Sequence, residues 1–351
     1  MAYTTIDKPS DYFNTKLYTG NGGTNAITGV GFQPDWVWVK RRDSSAAHYV
    51  WDVVRGAAVQ LYPASASSED AGQTNGLSAF GSDGFTLGSD AGANANSGTF
   101  ASWNWKAGTS FTNDASATGI GSIDSAGSVN QDAGFSIIGY SGDTSDAPST
   151  VAHGLSQKPE MMFIKRRTLS GQWVVYNKTI GATHNLHLDS TDASSAYQYF
   201  FNNTEPTSSV FTVGDDGESN KTGSNYIAYC FHSVQGYSKI GTYTGNGSTD
   251  GVFIYTGFKP AFTLIKAYSI VDKWSMFDAK RNPFNEVDNN IRANLSDAEV
   301  DQANKEVDYL SNGIKLRTSS GEWNSTGTQY IFMSFAESPF VTSTGVPTTA
   351  R

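Results

Sequence analysis

One pattern restricts the folds open to this chain more than any other: the same unit is written three times. Leu17-Tyr18-Thr19-Gly20-Asn21-Gly22 returns as Thr242-Tyr243-Thr244-Gly245-Asn246-Gly247 and, more loosely, as Ile138-Gly139-Tyr140-Ser141-Gly142-Asp143. Each leads into a Pro that opens an apolar run closing on a Lys six positions later: Pro34 to Lys40, Pro159 to Lys165, Pro260 to Lys266. Downstream, His48–Asp52 corresponds to Trp173–Asn177 and Trp274–Asp278, and Gly84–Leu87 to Val210–Val213 and Gly313–Leu316. Aromatic closing runs follow at Phe100–Trp105, Tyr226–Phe231 and Tyr330–Phe335. Internal repetition means one supersecondary unit copied and packed against its neighbours. The organisation read from it is an N-terminal arm (1–12), a first repeat (13–108), a Gly/Ser/Ala/Asp-rich linker (109–133), a second repeat (134–236), a third (237–340) and a C-terminal tail (341–351).

Within each copy the apolar runs are short, rich in Val, Ile, Phe, Tyr and Trp, and bounded by Gly, Asn, Asp and Ser, which is how strands and turns are written. Asn-Gly pairs at 21–22, 75–76, 246–247 and 312–313 mark tight turns, because both residues tolerate positive φ. The three Pro residues sit where strands begin and a missing N–H does least harm. About seven or eight strands fit each copy, enough for an antiparallel two-sheet sandwich of jelly-roll or lectin-like form. The expected fold is therefore all-β, three tandem sandwiches. Near-equal copies and the direct junction at Gly236-Tyr237 further suggest a body with pseudo-threefold symmetry. One segment departs from this: Ser296-Asp297-Ala298-Glu299 has the form of a capping box and predicts a short polar helix reaching Tyr309.

The net charge of −9 and pI near 5.0 argue against a nucleic-acid partner, which needs clustered cations. The runs Lys40-Arg41-Arg42 and Lys165-Arg166-Arg167 are too short to change that. Cys230 is the only cysteine, so no intrachain disulfide or thiolate cluster forms, and its apolar setting, Tyr226 to Phe231, predicts a buried, inert thiol. The first residues carry no apolar signal-peptide core, and no run approaches the ~18 apolar residues of a membrane span. A soluble protein with no membrane insertion is expected.

Candidates for chemistry are few. His184 and His187 could share a metal on a helix, but on a strand, which their neighbours favour, they point to opposite faces. No G-x-S-x-G elbow surrounds any Ser. Asp52, Asn177 and Asp278 align, and an Asn in the middle copy suits a structural turn role better than catalysis. The oxygen-rich segments Asp215-Asp216-Gly217-Glu218 and Asp189-Ser190-Thr191-Asp192 are open to two readings, calcium loops or solvated turns. The eight Trp residues are read chiefly as packing, with a sugar-stacking surface as the alternative. Lys40, Lys165 and Lys266 are read as solvated charges at strand ends. No catalytic, cofactor-binding or metal-binding residue is assigned, and the chain is read as no enzyme and as needing no cofactor.

The run from Cys230-Phe231-His232-Ser233-Val234-Gln235-Gly236-Tyr237 through Gly247, with Thr256-Gly257-Phe258-Lys259-Pro260, Lys280-Arg281-Asn282-Pro283 and Phe335-Ala336-Glu337-Ser338-Pro339-Phe340, resembles a repeat domain of tailed-bacteriophage virion proteins, marine ones especially. The opening Tyr3 to Phe13 is similar to the usual start of those proteins. That resemblance covers nearly the whole chain and implies a virion or appendage component with a lectin-like β-sandwich. It carries no settled biochemical role, and likeness to lectins does not establish sugar binding. The expectation is a non-enzymatic structural protein, located in the virion. It would be a compact fibre, spike or knob component displaying loops such as 64–79, 88–99 and 141–150 for host attachment. A capsid decoration protein and, more remotely, a carbohydrate-active enzyme are the alternatives. Its partners would be other virion proteins and a host-surface glycan, in an oligomeric or symmetric assembly on the particle.

Overall fold

A computed structural model describes residues 2–143, 148–301 and 307–348 of the chain. Strands dominate, and the helices among the described residues are single turns. Three large antiparallel sheets carry the architecture. The first has four strands, in the order Phe13–Thr19, Thr99–Trp105, Trp36–Arg41, His48–Asp52. The second has eight, and at its centre runs the same order: Phe135–Ser141, Asn225–Phe231, Met161–Arg166, Val174–Asn177. In the third, of six strands, it recurs as Ser238–Thr244, Gln329–Pro339, Phe258–Ala267, Trp274–Asp278. Register agrees too, with Trp36 opposite Trp105, Met161 opposite Phe231 and Phe262 opposite Phe335. The segment 109–133 adds two strands to the edge of the second sheet, Thr109–Asn113 and Ser125–Asn130, joined through a helical turn.

Each large sheet is buried on both faces. One face meets a small sheet of its own: 25–28 with 84–87 and 77–81, 149–152 with 210–213, and 253–255 with 313–316 and 307–310. The other face enters a single apolar core shared by all three sheets, containing Trp36, Trp38, Trp103, Trp105, Met161, Phe163, Tyr229, Phe231, Phe262, Leu264, Met333 and Phe335. Alternation of side chains across the pleat makes this two-sided arrangement possible, since Trp36 and Trp38 go to the shared core while Val37 and Val39 go to the small sheet. At the centre Trp36 stacks on Tyr229 at 4.6 Å, and Phe13 on Phe335 at 5.1 Å. All eight Trp side chains are buried, so none supplies a sugar-stacking surface.

The recurring Tyr-x-Gly turn has a physical cause. Tyr18, Tyr140 and Tyr243 stack on their cross-strand partners Phe100, Tyr226 and Tyr330 at 5.1, 5.1 and 4.8 Å. Their hydroxyls donate at 2.7 Å to the carbonyls of Ala93, Ser219 and Trp323. Each carbonyl precedes a buried Asn (Asn94, Asn220, Asn324) whose Oδ1 accepts the N–H of Asn21, Asp143 or Asn246 just past the Gly. Close approach makes the Gly obligatory. A Cβ on Gly20, Gly142 or Gly245 would come within 2.1–2.4 Å of backbone atoms of Ala95, Lys221 and Ser325.

The three sheets are tied by bonds that run in one rotational sense. Lys40 Nζ donates to Ser296 O at 3.3 Å, Lys165 Nζ to Ala66 O at 2.9 Å, and Lys266 Nζ to Thr191 O at 2.9 Å. These lysines are therefore not solvated edge charges: all three are fully buried, and burial pulls each ammonium from its ordinary 10.5 down to about 8. They end inside because each strand end meets a loop of the adjoining sheet, whose carbonyls satisfy the ammonium. One strand further on, His48 Nε2 reaches Arg292 O at 3.0 Å, Trp173 Nε1 reaches Tyr62 O at 2.9 Å and Trp274 Nε1 reaches His187 O at 2.9 Å. Thus the first sheet grips the third, the second grips the first, and the third grips the second.

The helix predicted from Ser296 does not form. Residues 296–299 take no regular secondary structure, Val300–Asp301 and Val307–Leu310 are strands, and 302–306 lie outside the described residues. The capping-box residues are used otherwise: Glu299 N–H donates to Arg42 O at 2.8 Å, and its carboxylate accepts from Arg42 and Arg281. Two guanidiniums at the seam, Arg281 buried and Arg42 partly so, outweigh a local helical turn of about 1 kcal/mol capping strength.

Candidate functional site

The residues singled out for chemistry are dispersed by the fold. His184 and His187 lie on one strand and face opposite ways, His184 beside Thr183 Oγ1 and His187 against the Phe200 ring. Asp216 accepts from Tyr197 OH and from Glu218 N–H, both at 2.7 Å, and Glu218 accepts the Gln172 N–H at 2.7 Å. The segment 215–218 thus spends these oxygens on its own chain, in the turn that leads to Asn220. Asp189 likewise accepts the Trp173 N–H at 3.1 Å, and burial pushes its carboxyl upward. No group of three or more His, Cys, Asp or Glu with the placement of metal ligands occurs among the described residues. Cys230 is buried, and that burial pushes its thiol up to about 12.

Asp52 and Asp278 do carry charge, in the seams. Asp52 pairs with Arg55 at 2.6 Å and Asp278 with Arg281 at 2.5 Å, with all four side chains fully buried. A donor from the adjoining sheet completes each pair: Tyr229 OH to Asp52 at 2.7 Å, and Trp103 Nε1 to Asp278 at 3.0 Å. A second ion pair reinforces each seam, Arg167 with Glu69 and Arg42 with Glu299, both at 2.7 Å. The third seam replaces the whole set with neutral residues. Asn177 takes the place of the Asp, Ile180 of the Arg and Tyr268 of the outer Arg, while Met333 stands where Tyr229 and Trp103 stand in theirs.

Among the clefts formed by the described residues, two lie between these elements. One, of about 720 Å³, is bordered by Thr5, Asp132, Lys158, Glu160, Glu205 and His232. Two of the three carboxylates named are already engaged: Glu160 with Lys178 Nζ at 2.6 Å and Ser233 N–H at 3.1 Å, and Glu205 with Tyr176 OH and with Ala182 N–H at 2.7 Å. Burial, followed by the Glu205 contact, pushes the Tyr176 phenol well above its ordinary range. The other cleft, of about 700 Å³, lies where Ser65 and Glu69 meet His48 and Ser296, at the seam of the first and third sheets. Both are hollows between loops, with polar and apolar lining in similar measure.

Aromatic surface is found elsewhere. Phe253 and Tyr255, at 43% and 56% exposure, project from the same face of one short strand of the third small sheet. Nothing in the pattern of that strand flags them, yet aligning the copies does: the equivalent pairs are Ala26 and Thr28 in the first and Thr150 and Ala152 in the second.

A family description matches residues 8–339, from the turn before the first strand to the end of the last. The chain belongs to that family, DUF7483, a domain of unknown function. Curated proteins include no match to it. The DUF7483 region takes in the three large sheets, their seams and, Thr5 apart, the residues that border both clefts, so the seam residues belong to the domain rather than to an appended segment. No helix among the described residues is long and apolar enough to cross a membrane.

Proposed function

We propose that this chain is a non-catalytic structural module of a bacteriophage virion, a compact surface appendage that presents loops for attachment to a host. In this reading residues 13–108, 134–236 and 237–340 are three two-sheet sandwiches closed around a pseudo-threefold axis. The observation that supports it most is the set of seam bonds from Lys40, Lys165 and Lys266, which run in one rotational sense around one shared core. A single chain thereby has the form that a homotrimer would give, with a heterologous contact that closes on itself. What the three units hold in common is spent on this closure, which leaves their differing loops to carry specificity. In the first unit, 64–79 gives Ala66 and Glu69 to a seam and 88–99 gives Ala93 and Asn94 to the shared turn, so only their remaining residues are left for display; residues 144–147 of the third expected display loop, 141–150, are outside the described residues. The phage assignment is supported by the sequence resemblance. Its partners would be neighbouring virion proteins and a glycan on the host surface.

Two measurements test this. Labelled purified chain should bind whole host cells or a defined glycan on an array, and a map of the intact particle should place it at a tail tip or vertex. Uniform coverage of the capsid shell, with no cell or glycan binding, would favour a decoration role instead.

A further inference from the structure

We propose that the strand Phe253–Tyr255 is a docking edge for an extended peptide segment of a partner protein, gripped through its free backbone groups and its two exposed aromatic rings. The inference rests on the equivalence of the three units proposed above, and is independent of the virion assignment.

Backbone pairing decides which groups are free. Leu316 N–H donates to Val252 O and Thr256 N–H to Asn312 O, both at 3.1 Å. Residues 252 and 256 therefore face their partner strand, as does Ile254 between them, while Phe253 and Tyr255 turn their N–H and C=O to the open side. The strand Phe253–Tyr255 is at the end of its sheet's strand order.

The middle unit shows what such an edge can hold. Its equivalent strand, Ser149–Ala152, has the same alternation, with Thr150 and Ala152 facing outward, and there the edge is occupied by the chain itself. Thr150 O accepts from Ser122 N–H at 2.8 Å and Ile123 N–H at 3.1 Å, and Thr150 N–H donates to Ser122 Oγ at 2.8 Å. Ser125 Oγ donates to Ala152 O at 2.9 Å, and Ile123 bridges Val151 in parallel. A small residue is required at Gly121, where a Cβ would lie 2.7 Å from Thr150 O. The occupant is thus a Gly-Ser-Ile segment: small, then hydroxyl-bearing, then β-branched and buried.

In the third unit no such segment covers the edge among the described residues, and the side chains beside it differ in the direction that favours a visitor. The Phe253 ring lies over Gly313, close enough that a Cβ there would meet its Cζ at 2.6 Å. Tyr255 OH lies 3.5 Å from Tyr3 OH, which is itself fixed by donating to Gly257 O at 2.6 Å. Two positioned aromatic rings beside an unpaired strand edge have the components of strand addition, in which main-chain bonds give affinity and side-chain contacts give selectivity. The expected occupant is an extended segment of the Gly121–Ile123 kind, supplied by another protein.

A fluorescent peptide spanning Thr118–Ser125 of this chain serves as the probe, titrated into the full-length protein and followed by anisotropy. Saturable binding is expected, because the middle edge is already filled. Two variants should each weaken it by about tenfold or more: the first unit's pair grafted in (Phe253→Ala with Tyr255→Thr), and Tyr255→Pro, which removes an outward N–H that an edge strand can lose without unfolding. Unchanged circular dichroism would establish that both remain folded. Absence of saturable binding, binding indifferent to both variants, or displacement of the peptide by soluble oligosaccharides would each overturn the proposal, the last in favour of a sugar-stacking face. Failure of the glycan-array experiment would leave it standing.

Discussion

The neutral seam supplies a design for testing how the ionic seams work. In the seam between the second and first sheets, Asp52 accepts from Val54 N–H, Arg55 N–H, Arg55 Nε and Tyr229 OH, all between 2.6 and 3.0 Å. The set is fully buried, so each member depends on the others. Asp52→Asn leaves a guanidinium with no charge nearer than Glu69 at 4.0 Å, and stranding a buried charge in this way costs about 3–5 kcal/mol. Arg55→Ile strands the carboxylate instead, for a similar cost of about 3–5 kcal/mol. Tyr229→Met removes one hydrogen bond to a charged group, about 1.5–3 kcal/mol. Independent effects would sum to about 8–13 kcal/mol, close to the whole stability of an ordinary domain.

The third seam carries Asn, Ile and Met at these three places and is closed nonetheless. The triple variant Asp52→Asn/Arg55→Ile/Tyr229→Met copies that solution, leaving no charge stranded. Its cost should be confined to repacking, about 2–4 kcal/mol. Urea unfolding midpoints with their slopes give each value. The expected outcome is a triple variant more stable than either Asp52→Asn or Arg55→Ile with the remaining two positions intact. If it loses as much as the sum of the single changes, the three residues do not act as a unit, and the correspondence between the seams is coincidental.

Other consequences are more local. Gly245→Ala should cost about 2 kcal/mol or more, because the added Cβ would lie 2.3 Å from Ser325 O, whereas Gly321→Ala meets nothing within 4 Å and should stay within about 0.5 kcal/mol in the same urea assay. Burial lowers the His153 imidazole from 6.5 to about 4. The unfolded chain therefore takes up the proton first, and stability that is complete above pH 6.5 is lost as pH falls toward 4, by about 3 kcal/mol. Substituting His153→Asn keeps an acceptor for the Leu155 N–H and should flatten that part of the stability–pH curve; an unchanged slope would mean that His153 is not its source. Cys230 should react with a disulfide reagent only on global unfolding, so its labelling rate should follow the unfolding equilibrium across a urea series, and rapid labelling in buffer would contradict its burial.

How much could be read in advance depended on whether a residue's role is local or relational. Strand positions and the Tyr-x-Gly turn were legible because they arise from alternation and from positive-φ or close-approach Gly, which each copy states for itself. Lys40, Lys165 and Lys266 were visible as a register but misread. A Lys at a strand end is solvated unless another sheet's loop covers it, and Ala66, Thr191 and Ser296 belong to different copies from the lysines they bind. The short helix failed for the same reason, since Glu299 answers to Arg42, 257 residues away. Asp52, Asn177 and Asp278 align in the sequence, but the exchange of Asp, Arg and Tyr or Trp for Asn, Ile and Met becomes intelligible only across a seam.

That same contrast bears on where selectivity can reside. In the proposed closed body, a position repeated in all three units is explained by that closure, and substitution there should change stability before it changes binding. Positions that break the repetition divide into two kinds. At the neutral seam the changes compensate one another: donor, acid and cation are replaced together, and the face stays buried. At the edge Phe253–Tyr255 nothing compensates, for two aromatic rings replace Ala and Thr and remain open to solvent. Exposed apolar surface that packing does not require is where a contact with another molecule is most economically sought. The two kinds should separate experimentally, with seam variants shifting unfolding midpoints and edge variants leaving them within about 0.5 kcal/mol while altering association. An edge variant that unfolds the chain would return Phe253 and Tyr255 to the structural class.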